Sequence, residues 1–199
     1  MSKDGTVSIP AFIDLAAQRR QMGDRAGKAL IAVLESGQYV LGPQVTEIER
    51  QLTAFTGAKH CISCATGTDA LLLALMAARV GVGDAVFVPA FTFVATAEVV
   101  VLQGATPVFV DVRRDTFNMD PESLDAAIGE AKKRGFKPRA IVAVDLFGQP
   151  ADYARIHEIA AAHDLVVIDD AAQSFGATLD CKKVGTLAAY SATSFYPSK

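Results

Sequence analysis

From Lys59 to the end of the chain, short apolar runs alternate with segments of helical spacing. The runs are His60–Ser63, Ala85–Pro89, Pro107–Val112, Ala140–Leu146 and Leu165–Ile168, and Ser191–Phe195 adds a further strand. Between them lie Thr68–Arg79, Phe93–Gln103, Pro121–Arg134 and Ala151–His163, each with apolar residues three and four apart. Several runs are continuously apolar, as strands are when both faces of a parallel sheet are covered by helices. The pattern predicts an α/β fold, a mostly parallel sheet with helices on both faces. Upstream, Leu15–Glu35 has helical alternation, and Pro43 opens a helix with Val45, Ile48, Leu52 and Phe55 on one stripe, closed by Gly57. The chain therefore divides into an N-terminal helical segment, 1–57, and an α/β domain, 58–199.

Composition removes several classes of function. Of 199 residues, 51% are hydrophobic and 21% charged, enough for a core and too apolar for disorder. The net charge is −3, from 19 basic and 22 acidic residues, and no Lys/Arg run could track phosphates, so nucleic acid is not the expected partner. The most apolar stretch, Phe91–Leu102, carries Glu98 and falls well short of the roughly 20 residues of a membrane span. The start, MSKDGTVSIP, has no apolar h-region. Three cysteines argue against a disulfide framework, and a cytoplasmic location is expected. Cys61-Ile-Ser-Cys64 falls on the first predicted strand and lacks a second ligand pair, so we read it as buried small residues and expect no metal.

In such sheets ligands bind beyond the carboxyl ends of the strands. Thr66-Gly67-Thr68 leads into a helix whose first N–H groups attract anions, although an ordinary threonine N-cap explains the same residues. The loop has neither the dinucleotide fingerprint nor the Walker pattern, which counts against NAD and ATP. Asp169-Asp170 closes an apolar strand; alternation sends the two carboxylates to opposite faces, so at most one reaches a ligand. Lys199 follows Pro197 and Ser198, and a lysine amine can condense with a carbonyl. A phosphate cup, a strand-end acid and a late lysine are together what a pyridoxal phosphate enzyme needs.

With these residues in place, the chain resembles the DegT/StrS-type family of nucleotide-sugar aminotransferases. The matching segments are Phe12-Ile-Asp-Leu, Gly37-Gln-Tyr-Val-Leu-Gly-Pro43, Gly67-Thr68-Asp-Ala-Leu71, Pro89-Ala-Phe-Thr-Phe-Val-Ala-Thr96, Asp169-Asp-Ala-Ala-Gln-Ser-Phe-Gly-Ala177 and Ser194-Phe-Tyr-Pro-Ser-Lys199. The resemblance implies an aspartate-aminotransferase-like (type I) fold and pyridoxal 5'-phosphate as cofactor. Carried over position by position, it implies that Lys199 is the cofactor-bearing lysine and Asp170 the acid on the pyridine nitrogen. It puts Gln173 beside the phenolic oxygen, Gly67, Thr68 and Ser194 on the phosphate, and Phe93 against the ring, with Phe91 close by. It further implies a homodimer and glutamate as donor. The substrate it suggests is a UDP-linked 3-keto-N-acetylglucosaminuronic acid of O-antigen and lipopolysaccharide synthesis. A dTDP-4-keto-6-deoxy sugar is the alternative, and a non-catalytic regulatory member a second class. Members with His in place of the lysine are dehydratases, and Lys199 argues against that branch. Members are also roughly twice as long, so the chain is expected to be their N-terminal part. The rest of the large domain and a small C-terminal domain are expected to follow Lys199.

Overall fold

The computed structural model describes residues 12–197 and 199. The start read for a leader, and Ser198 of the closing motif, lie outside the described residues. The chain forms two compact units. One holds the described residues up to Thr46 with Tyr196 and Pro197; the other holds Glu47–Phe195 and Lys199.

The first unit carries α1 (Leu15–Met22), α2 (Arg25–Ser36) and the start of α3 (Pro43–Thr56). The continuous helical alternation of Leu15–Glu35 is broken at Gly23, whose φ of 58° and ψ of −139° only glycine adopts without strain. The Asp14 side chain accepts the Ala17 N–H and starts α1, and Gly37 in the left-handed region ends α2.

The second unit is the predicted α/β layer. Its sheet contains β1 (Asp84–Pro89), β2 (Thr106–Val110), β3 (Lys137–Val144) and β4 (Val166–Asp170). A small antiparallel hairpin, β5 (Thr178–Leu179) and β6 (Lys182–Lys183), precedes the last strand, β7 (Tyr190–Ala192). The order is β2-β1-β3-β4-β7, and every pair is parallel. Helices α4 (Gly67–Ala77) and α5 (Ala95–Leu102) pack on one face, α6 (Pro121–Lys133) and α7 (Tyr153–His163) on the other. Alternate strand residues feed the two cores. Val86, Val88, Val142 and Ile168 meet Leu71, Leu75, Val99 and Val100. Ala85, Phe87, Ile141 and Val167 meet Leu124, Ile128, Ile156 and Ile159.

Capping fixes the helix starts: Thr66 accepts Asp69 N–H, Asp120 accepts Glu122 N–H ahead of Pro121, and Asp152 accepts Arg155 N–H. Because all five strands run the same way, Pro89, Val110, Val144, Asp170 and Ala192 end at one edge of the sheet, where the loops read for chemistry gather.

Two strand expectations are corrected. His60–Ser63 is not a strand. It has no strand partner among the described residues, Ile62 is 81% exposed, and Ser63 gives both its N–H and its hydroxyl to the Glu49 carboxylate, each at 2.7 Å. A run of four residues has no strand identity without a neighbour to pair with. Cys61 and Cys64 are accordingly half-buried and exposed rather than buried. The last strand lies at Tyr190–Ala192 rather than Ser191–Phe195, because its partner β4 ends at Asp170 and pairing stops at Asp170–Ala192.

Candidate active site

Asp170 closes β4 with its side chain on the α4/α5 face, 6% exposed. Thr96, fully buried in α5, donates its hydroxyl to Asp170 Oδ2 at 2.8 Å, and the Ala172 N–H donates to Oδ1 at 3.3 Å. Thr92 Oγ1 lies 2.9 Å from Thr96 Oγ1 and extends the chain of hydroxyls. Burial pushes the Asp170 carboxyl above the ordinary aspartate range. The Thr96 hydroxyl, the Ala172 N–H and the charge of Lys199 each pull it back. Lys199 lies close enough for its charge to act on Asp170, although no ion pair joins the two among the described residues.

Asp169 points the other way, as strand alternation requires. Its Oδ2 accepts the Ser191 hydroxyl at 2.8 Å, while Oδ1 is buried and meets no partner among the described residues. Beneath it lies Asp145, at the end of β3. Asp145 Oδ1 accepts the Ala151 N–H at 2.9 Å and the Tyr153 hydroxyl at 3.1 Å, and Oδ2 accepts the Ser174 hydroxyl at 2.9 Å. Burial, then the Asp145 charge, pushes the Asp169 carboxyl up to about 7; burial also raises Asp145 and, with both acids close by, the Tyr153 phenol. At most one of the two strand-end carboxyls, Asp170, therefore reaches the ligand edge.

The start of α4 faces the same edge. Thr66 takes the capping duty: it accepts the Asp69 N–H at 3.0 Å and donates to the Asp69 carboxylate at 2.9 Å. The N–H groups of Gly67 and Thr68 in the first turn have no intrahelical partner. Gly67 is required by close approach rather than by its dihedrals. A Cβ there would stand 3.0 Å from Ser194 Cβ and 3.4 Å from the Thr193 carbonyl. Gly67 and Ser194, 127 positions apart in the numbering, are thereby neighbours at the carboxyl end of β7.

Gln173 is exposed on the loop after β4, and its Oε1 accepts the Phe147 N–H at 2.7 Å. The two candidate aromatic residues differ. Phe91 packs against Phe117 and Phe147, ring centroids 5.6 and 6.4 Å away, whereas Phe93 is 69% exposed and meets no ring among the described residues. Both rings are exposed, Phe91 by 50% and Phe93 by 69%. No hydrogen bond or ring contact among the described residues ties Phe93 or Gln173 to Asp170 or Lys199.

Sequence reasoning missed Thr96, Asp145, Tyr153 and Ser174. Thr96 reads as one more β-branched residue in an apolar helix. Asp145 carried a usable signal, a carboxylate inside the otherwise apolar run Ala140–Leu146. The residues present fit a pyridine-type cofactor with a phosphate: a cradle that a single methyl would fill, helix-start donors beside it, and a buried carboxyl at the same edge, raised by its burial.

Residues 20–199 match the model of the DegT/DnrJ/EryC1/StrS aminotransferase family. A UDP-2-acetamido-2-deoxy-3-oxo-D-glucuronate aminotransferase from Pseudomonas aeruginosa is 50% identical over 188 residues, 94% of this chain and 51% of that protein. A pleiotropic regulatory protein from Geobacillus stearothermophilus is 44% identical over 193 residues, 97% of this chain and 50% of that protein. Among solved structures, a DegT DnrJ EryC1 StrS aminotransferase from Brucella abortus matches with a TM-score of 0.93 at 50% identity, over 96% of this chain and 52% of that one. The chain spans about half the length of the curated relatives it matches.

Proposed function

Because the chain belongs to the DegT/DnrJ/EryC1/StrS aminotransferase family, we propose that it carries the cofactor half of an enzyme that transfers an amino group to a nucleotide-linked keto sugar. Members of the family use pyridoxal 5'-phosphate. The observation that carries the reading is the buried Asp170 carboxyl, held by Thr96 and Ala172 at the sheet edge where Gly67 closes on Ser194 and within reach of the Lys199 charge.

When bound, the cofactor supplies a carbonyl that takes up an amino group and a ring that withdraws electrons from the reacting carbon. In this reading Asp170, ionised, holds a proton on the ring nitrogen, with the Thr96 and Ala172 donors fixing the carboxylate from behind. Gly67, Thr68 and Ser194 would hold the phosphate, Phe93 would cover the ring, and Gln173 would face the phenolic oxygen. Lys199 Nζ takes and returns a proton at the substrate carbon that exchanges nitrogen, as a general base.

For the substrate we propose UDP-2-acetamido-2-deoxy-3-keto-glucuronic acid with glutamate as donor, in cytoplasmic synthesis of O-antigen sugars. The name of the 50%-identical relative supports this. We also propose a homodimer, which the apolar outer faces of α4 (Leu73, Met76) and α5 (Val101, Leu102) support, since all four side chains are about half or more exposed. No helix among the described residues is long and apolar enough to cross a membrane.

The test is amination by the full-length enzyme, with glutamate, of a panel holding the UDP-3-keto sugar and dTDP-4-keto-6-deoxy sugars. The reading expects preference for the first and a loss of about 10²–10⁴-fold on Lys199→Ala. Preference for a dTDP sugar would replace the substrate, and an undiminished Lys199→Ala rate would overturn the chemistry. The regulatory relative favours a second reading, a binding protein of the same fold. Absence of turnover across the panel, with cofactor bound, is the result that would favour it.

A further inference from the structure

Phe147 sits in a 3-10 turn, Leu146–Gly148, just after β3, with φ 56° and ψ 21°. A bulky non-glycine residue in the left-handed region persists only where its surroundings over-determine it. They do so here. Asn118, 3% exposed, spans the turn: its Oδ1 accepts the Leu146 N–H at 3.0 Å and its Nδ2 donates to the Gln149 carbonyl at 2.9 Å. Asp145, at the start of the turn, is held by Ala151, Tyr153 and Ser174. Gly148, φ 87°, lies so close to the next loop that a Cβ would come within 3.3 Å of the Gln173 carbonyl.

The Phe147 ring, 71% exposed, meets Phe91 and Phe117 only edge-on, 6.4 and 6.5 Å between centroids, and buries little in the turn. The backbone N–H is the group the turn places: it is aimed at Gln173 Oε1, 2.7 Å away. A carboxamide has one end that accepts and one that donates, and an N–H can face only the accepting end. The Gln173 Nε2, with its two N–H groups, is thereby committed to the side away from Phe147.

We infer that the Phe147 turn, braced by Asn118, is a positioning element that fixes Gln173 as a hydrogen-bond donor at the sheet edge. The ligand group it suits is an anionic oxygen, and a group that itself donates is disfavoured there. The inference rests on the proposed function for the identity of that oxygen, the cofactor's phenolic one, and on geometry alone for the polarity of Gln173.

Two measurements on the full-length protein test the two parts separately. In the cofactor-free protein, Gln173→Leu is expected to speed exchange of the Phe147 amide hydrogen by about tenfold or more. Gln173→His, which can accept at one ring nitrogen and donate at the other, is expected to restore protection. Unchanged exchange in Gln173→Leu would overturn the lock. In the loaded protein, Gln173→Leu is expected to raise the pH midpoint of the cofactor's visible absorption by about one unit, because a donor favours the ionised oxygen. His is expected to bring it back, and Asn118→Ala to move it the same way as Leu. An Asn118→Ala protein that is less stable but keeps the wild-type midpoint would make Asn118 merely structural and overturn its positioning role. Failure of the wild type to bind the cofactor would sink the proposed function instead, and the exchange measurement would still decide the lock.

Discussion

At Asp170, burial and hydrogen bonding act against each other. Removal from water favours the neutral acid; the Thr96 hydroxyl, the Ala172 N–H and Lys199 favour the charged one. Thr96 matters most among the uncharged groups because it is itself fully buried, so no water can replace it. Thr96→Val is expected to cost about 1–3 kcal/mol of stability by leaving Oδ2 without its donor. It should also raise the Asp170 titration further. Urea melts measure the first and carboxyl NMR the second, and a variant indistinguishable from wild type in both would remove Thr96 from the site. Asp170 was legible in the sequence because a carboxylate ending an apolar strand is conspicuous. Thr96 was not, since its partner is 74 positions away in the numbering and only the fold joins them.

At the scale of elements, the helices and the central strands were readable because each carries its own apolar pattern, and α1, α4, α6 and α7 also carry side-chain caps at their starts. The segment His60–Ser63 was not, because pairing rather than composition makes a strand, and there Glu49 takes the Ser63 donors that a neighbour would have used. The break at Gly23 was missed for the reverse reason: the apolar alternation runs on through a residue whose dihedrals end the helix. The α4 start shows what an element end can do that a single residue cannot. It presents several unpaired N–H groups to one spot, and Gly67 lets the β7 end come up against them. Gly67→Ala is expected to push Ser194 aside, lowering phosphate and cofactor affinity by about tenfold and stability by about 1–3 kcal/mol. Binding titrations alongside thermal melts check both. Unaltered affinity would mean that the close approach serves packing alone.

For the whole molecule, the sheet separates two acidic neighbourhoods: Asp170 under α5, and Asp169 with Asp145 over α7. The second has no cation in it among the groups that shift its acids, so its carboxyls hold protons in the native state longer than in the unfolded one. Between about pH 4, where an unfolded aspartate titrates, and about 7, the folded Asp169 value, the native state binds more protons. Stability should therefore fall as the pH rises through that window. Asp169→Asn, which cannot ionise, is expected to flatten that fall; the part due to Asp145 and Asp170 should remain. A wild-type stability that climbs from pH 4.5 to 7 would contradict this picture of the buried acids.

The claim on which the functional account turns is that Lys199 works at the Asp170 edge as the residue that joins the cofactor. Borohydride reduction of the full-length protein loaded with pyridoxal phosphate, followed by peptide mass mapping, tests it directly. The account predicts one modified lysine, Lys199, and loss of the modification in Lys199→Ala. Cofactor retained on another residue, or bound with Lys199 unmodified, would contradict it.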